Sequence, residues 1–288
     1  MKILIDTGPS SRGWHRLESH LRCPQLYAWG YGQAGAGGDR AQIPWTHFPP
    51  TAPLVRGSIG HAGLAHLYAR QREVQRGGDP DRYFLPTEAM EMVARVFGYN
   101  SELGMQLLPV TTRVVRSYAE HFAHETWEIV TVEEELETHF GPYRYTARVD
   151  LQYRDRSGKI WFLDHKLVSR IRGKTARRYT LSGQFLGLLH LGSRIFGDDF
   201  GGVELNLLGV NPISFLRVVP EPAPYTLARF PEIVARAEES IARTESLIAS
   251  GKDPPASPSE FTCYNSYGEC PAFELCRWGA HDSRIIPF

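Results

Sequence analysis

Over roughly the first 125 residues, apolar side chains recur every three or four positions; from residue 129 they tend to alternate, which is the period of a strand. Ser10 and Ser11 can cap a helix in which Trp14, Leu17 and Leu21 recur until Pro24 interrupts, leaving Cys23 at its end. The Gly- and Pro-rich stretch "GYGQAGAGGDRAQIPWTHFPPTAP" reads as a long surface loop. A helix is expected from about Arg56 to Arg72, with His61, Leu64 and Tyr68 on one face. Two more are expected, from about Pro86 to Tyr99 and from about Pro109 to Glu125.

Five segments rich in β-branched and aromatic residues follow: "IVTVEEELETHF", "YRYTARVDLQY", "KIWFLDHKL", "GVELNLLGV" and "SFLRVVP". "DRSG" and the turn at Asn211 to Ile213 are hairpin connections. An apolar helix from about Leu181 to Phe196 separates the third strand from the fourth, so an α/β fold with a mixed sheet flanked by helices is predicted. A charged helix from about Pro231 to Ser250, the irregular "GKDPPASPSE" and a cysteine-bearing tail complete the chain.

At 288 residues and 42% hydrophobic content, the chain can build one large domain with extensions. Its 32 basic and 32 acidic residues cancel, so any site for a polyanion has to be local. The short apolar run near residue 4 and the lack of a spanning stretch predict a soluble, cytoplasmic protein without a membrane partner.

The strand periodicity creates a conflict. Asp164 and Lys166 point to one face while His165 points to the other, beside Trp161 and Leu163. If the second and third strands form a hairpin, Asp150 approaches Asp164. Two such carboxylates repel, and burying one unpaired costs several kcal/mol. A divalent cation removes the conflict, and hard oxygen donors suit Mg²⁺ or Mn²⁺, which can activate water and neutralise a phosphoryl group.

Asp150, thirteen intervening residues and then "DHK", with "GSIGHAGL" upstream and "SGQFLGLLH" downstream, resemble the PD-(D/E)xK nucleases. Within them the pattern is similar to RecB-like exonucleases, including the AddB-type and CRISPR-associated members that carry an iron–sulfur cluster. The resemblance implies a restriction-endonuclease-like sheet and a single nuclease domain over 1–288, with its core at 56–220. It assigns His61 of "GxxxHxxL", Asp150 of "TARVD", Asp164 and the main-chain carbonyl of His165 to the metal, with Lys166 and Gln184 as catalytic partners. The position four residues after Gln184, often tyrosine in the family, is Leu188 here. An upstream glutamate is also implied, for which Glu133, Glu134, Glu135 and Glu137 are available, with Glu135 favoured. The side chains of His66, His165 and His190 are read as structural.

Cys23, Cys263, Cys270 and Cys276 lack the paired spacing of common zinc modules. Four thiolates suit a 4Fe–4S cluster, and similar nucleases carry one early and three late cysteines, which would join regions 1–30 and 255–280. Zinc and ordinary buried thiols are the alternatives. No acidic residue occurs from His165 to Gly197, while Arg170, Arg172, Lys174, Arg177 and Arg178 cluster past the third strand, where they can meet a nucleic-acid backbone. Trp161 and Tyr179 could add stacking surface. "RGKT" lacks the glycine a phosphate loop needs at Val168, so any helicase would be a separate partner. The expected activity is a metal-dependent deoxyribonuclease acting on single-stranded DNA ends in recombination, repair, phage DNA processing or CRISPR adaptation. A silent nuclease-fold DNA-binding subunit and a zinc-bound nucleic-acid module are the rivals.

Overall fold

The computed structural model describes residues 4, 10, 12–30, 51–96, 101–221, 224–265, 268–270, 272, 273 and 276. The predicted loop after residue 30 lies mostly outside the described residues. Alternation produces five strands: β1 (Glu128–Phe140), β2 (Tyr143–Arg154), β3 (Ile160–Val168), β4 (Phe200–Val210) and β5 (Ile213–Val218). They lie side by side in chain order, antiparallel throughout except that β3 and β4 run parallel. The parallel pair needs a crossover, and the predicted apolar helix supplies it as α6 (Gly183–Phe196) once the other helices are counted in order.

Those helices are α1 (Trp14–Arg22), α2 (Pro24–Gly30), α3 (Ala52–Gln75), α4 (Pro86–Val96), α5 (Ser101–His121) and, after α6, α7 (Pro224–Ala249). One core lies between α3, α4, α5 and one face of the sheet, where Ile59, Tyr68, Met90 and Tyr118 meet Leu151, Leu163 and Leu208. A second lies on the opposite face, where Leu17, Phe185, Leu191, Phe230 and Val234 meet Phe140, Tyr145 and Phe162. The expected mixed sheet between helical layers is what forms.

Proline misled the boundaries three times. Pro24 ends α1 but also opens α2, since a proline at the first helical position gives up an N–H that has no helical acceptor. Pro109 and Pro231 were expected to start helices, yet lie inside α5 and α7. In α5 the turns on both sides of Pro109 pack apolar residues, Leu107 and Leu108 before it and Val114 and Val115 after it, so tertiary burial outweighs the missing bond.

The N-terminal helix is tied to α7 by a buried ion pair. Arg16 Nη1 donates to Glu238 Oε1 at 2.6 Å, with the two side chains 5% and 7% exposed. His20 Nε2 lies 2.9 Å from Thr244 Oγ1, and the Tyr27 hydroxyl donates to Glu245 at 2.6 Å. Removing Arg16 leaves a buried carboxylate without its cation. Arg16→Ala should therefore cost about 3–5 kcal/mol in a urea melt followed by circular dichroism, whereas Arg229→Ala, in an exposed pair with Glu232, should cost under about 1 kcal/mol.

Candidate metal centre

The second and third strands part company at the residues of interest. Their ladder runs from Arg154↔Ile160 to Leu151↔Leu163 and stops there. Beyond it β2 stays paired with β1, and β3 with β4, so the sheet forks with Asp150 and Asp164 at its crotch. The fork leaves main-chain groups of β3 without their ladder partner on β2. Asp150 answers for one of them: its Oδ2 accepts the main-chain N–H of His165 at 2.7 Å.

The β1–β2 ribbon also changes face at this level. Val132 and Leu151 belong to the α3–α5 core, whereas Leu136 and Val149 belong to the α6–α7 core, although an undistorted pleat would keep each pair on one face. The reversal falls at Glu133 and Asp150, which stand opposite each other because Val132 pairs with Leu151 and Glu134 with Val149. Glu133 adopts φ +52°, a left-handed conformation that costs a glutamate of order 1–3 kcal/mol.

The strained turn brings Glu133 inward. Ligand atoms of His61, Glu133 and Asp150 all lie within 4.8 Å of one another, with His61 Nδ1 3.5 Å from Asp150 Oδ2. His61 reaches the fork because α3 lies directly on β3. A Cβ on Gly60 would sit 2.5 Å from the Leu167 side chain, which would have to shift, so glycine suits that close approach. One imidazole and two carboxylates form a donor set that fits Mg²⁺ or Mn²⁺.

Asp164, Lys166 and Gln184 close a second group beside the first. Lys166 Nζ donates to Asp164 at 2.9 and 2.8 Å and to Gln184 Oε1 at 3.2 Å, while Gln184 Nε2 donates to Asp164 Oδ1 at 3.1 Å. Gln184 is placed by the first turn of α6, where Gly183 packs flush against Trp14. Burial alone would lower the Lys166 pKa, but the charges of Asp164 and Asp150 outweigh it and hold the ammonium above its ordinary value. Asp150 is pushed up, by burial first and by the Asp164 charge second, against the pull of His61 and Lys166. The two carboxylates are thus neighbours, as the hairpin pairing predicts, but Asp164 is engaged with Lys166 and is not part of the His61 group.

Of the four upstream glutamates that the sequence offers, the geometry brings in Glu133 and not the favoured Glu135. Glu135 is exposed on the ribbon, Glu134 accepts from Gln152 at 2.7 Å, and Glu137 pairs with Arg144 at 2.7 Å. The imidazole of His165 is buried in the α3–α5 core, and its main-chain N–H is the group described at the site. His66 and His190 are structural: His66 accepts from the Leu4 N–H at 2.9 Å, and His190 lies 2.7 Å from the Leu227 carbonyl.

Arg170, Arg172, Lys174, Arg177 and Arg178 are all exposed on the segment that joins β3 to α6, and so join the strand of Lys166 to the helix of Gln184. Tyr179 from that segment lines a recess with Asp164, Ser182 and Gln184. Trp161 lies toward the other end of β3, where its indole N–H donates to Asp155 at 2.9 Å and its ring covers Gly201 and Gly202, so it is not a stacking surface at the site.

None of the four cysteines forms a disulfide. Cys23 and Cys270 pack with Leu26 and Ala272 in a small core of their own. Burial raises the Cys276 thiol to about 11, and the nearby Cys23, Cys270 and Cys263 add to the shift. Burial likewise raises Cys270, with contributions from Cys263 and Cys23. Thiols from both ends of the chain therefore share one neighbourhood. Among the described residues, no three of these sulfurs lie within 4.8 Å of one another.

No family model matches the chain, and no curated protein matches its sequence. Among solved structures, the chain is similar to one described as "Crystal structure of SSO0001", at 16% identity and a TM-score of 0.32, over 64% of this chain and 74% of that one. Such an overlap is too loose to transfer residue roles. Among the described residues, no helix is long and apolar enough to cross a membrane.

Glu133→Gln should weaken Mn²⁺ binding at least about tenfold by isothermal titration calorimetry, while Glu135→Gln leaves it unchanged. Glu133→Gly should also lose the ion but stabilise the apo chain by about 1 kcal/mol, because glycine adopts φ +52° without strain.

Proposed function

We propose that this chain is a Mg²⁺- or Mn²⁺-dependent deoxyribonuclease of the PD-(D/E)xK kind that hydrolyses phosphodiester bonds at DNA ends, with single strands as its substrate. The observation that carries the reading is the meeting of two groups at one fork: His61, Glu133 and Asp150 on one side, Asp164, Lys166 and Gln184 on the other. Exposed cations on the adjoining segment support it.

A bound dication would be held by His61, Glu133 and Asp150, with Asp164 within electrostatic reach, and would supply water activation and charge neutralisation at the phosphorus. Lys166 stays protonated in this setting and presents a fixed ammonium to the charge that develops on the phosphoryl oxygens. Asp164 and Gln184 fix where that ammonium points. Arg170, Arg172, Lys174, Arg177 and Arg178 neutralise backbone phosphates without reading bases, so they set affinity and salt dependence more than sequence preference.

We also read the four cysteines as ligands of an architectural 4Fe–4S cluster. Four thiols drawn from both ends of the chain into one neighbourhood, without the paired spacing of common zinc modules, suit such a cluster. Joining residue 23 to the tail closes a loop worth about 5 kcal/mol if it acts as a disulfide would. DNA is the implied partner, and a separate helicase, recombination or CRISPR protein would supply any unwinding.

On end-labelled single- and double-stranded DNA, the wild-type chain with Mn²⁺ should degrade single strands, stop on chelation and resume when the ion is restored. Lys166→Ala should lose about 10²–10³-fold in rate, and equal cleavage by that variant would remove the catalytic assignment. Binding without cleavage across several metals would instead indicate a silent DNA-binding subunit. Anaerobically purified protein should be brown and contain iron and sulfide, and Cys23→Ser should bleach it; a colourless zinc protein would refute the cluster.

A further inference from the structure

Behind the fork lies a buried polar network that the hydrolytic scheme leaves unused. Asn206 of β4, fully buried, donates from Nδ2 to the Tyr118 hydroxyl at 2.9 Å and approaches His165 Nδ1 at 2.7 Å. The Tyr118 and Tyr68 hydroxyls are 2.6 Å apart. Arg217 of β5 donates to Tyr68 at 3.0 Å, to Tyr118 and to Glu125, with its guanidinium lying over Phe122 and Trp127.

Two contacts carry this network forward to the fork. The His165 ring stacks on Tyr68, with centroids 5.7 Å apart and planes 7° from parallel, and meets the His61 ring edge-on at 6.2 Å. The main-chain N–H of the same residue holds Asp150 Oδ2. His165 thus touches two of the three residues that converge at the candidate metal centre.

Stability alone is a weak reason for these groups. They sit in an otherwise apolar core, and a buried polar or charged set usually adds no more stability than apolar residues of the same shape. Directional bonds do add a fixed orientation. A ring held only by stacking on Tyr68 can slide or turn, whereas the bond between Asn206 and Nδ1 removes that freedom.

We propose that Asn206, with Tyr118 and Arg217 behind it, acts through His165 as a positioning system for His61 and Asp150, setting the affinity of the metal centre without touching the ion. This rests on the reading of the fork as a metal site. The test is Mn²⁺ calorimetry on the full chain, paired with thermal melts. Asn206→Leu keeps the volume and loses the bond to Nδ1; His165→Phe keeps the stack and the main-chain N–H and loses the same bond. Tyr153→Phe is the control, since it breaks a partly buried contact with Glu204, 3.1 Å, in the same core without touching His165.

Asn206→Leu and His165→Phe should each bind Mn²⁺ about tenfold more weakly, while Tyr153→Phe lowers the melting temperature and leaves affinity unchanged. If the first two variants melt lower but bind Mn²⁺ as tightly as wild type, the network is structural only and the proposal falls while the metal centre stands. If Asn206→Leu does not fold, His165→Phe alone decides. A wild-type chain that binds no Mn²⁺ overturns both readings.

Discussion

The fold is organised around a place where two strands stop pairing. A sheet that continued past Leu151↔Leu163 would press Asp150 and Asp164 together on one ladder and leave their charges no exit. The fork separates their surroundings. Asp164 turns to an ammonium and an amide that α6 and its own strand supply; Asp150 turns to an imidazole from α3 and to a main-chain N–H exposed by the fork itself. Gly60, which lets α3 lie on β3, and Gly183, which lets α6 lie against Trp14, are what bring these partners within reach.

The two helical layers then serve different ends of the same problem. The α3–α5 layer delivers His61 and encloses the Tyr68, Tyr118, Asn206 and His165 network. The α6–α7 layer delivers Gln184 and is clamped by Arg16 and Glu238 to the N-terminal helix, at whose end Cys23 meets the thiols of the tail. A disturbance of the cysteine region can reach Gln184 through α1, because Trp14 of that helix seats the first turn of α6. A cluster there would therefore support the site mechanically while remaining apart from its chemistry.

Much of this was legible in the chain. Alternation identified five strands and the interrupting helix, and strand parity put Asp164 and Lys166 together. Helix starts were less so, because Pro109 and Pro231 read locally as initiators while the burial that carries a helix through them is tertiary. Glu133 stood among the four candidate glutamates but could not be singled out, for a different reason. Parity along "VEEELE" cannot rank four glutamates when the ribbon reverses its faces in their midst. The register was nonetheless in the sequence: the two-residue turn at Gly141 and Pro142 pairs Phe140 with Tyr143, and counting outward from it sets residue 133 against residue 150.

The donor set and its surroundings also bear on the kind of substrate. A dication held by one imidazole and two carboxylates would serve many hydrolytic reactions, and small-molecule versions enclose their ligand in pockets of about 300–1,000 Å³. The recess beside Asp164, lined in part by Tyr179, Ser182, Gln184 and Phe185, opens to solvent and encloses no cavity of that size. Five exposed cations lie on the segment between β3 and α6, the segment that also carries Tyr179 of the recess. On a chain of zero formal net charge, that concentration of positive charge is a local feature of this segment.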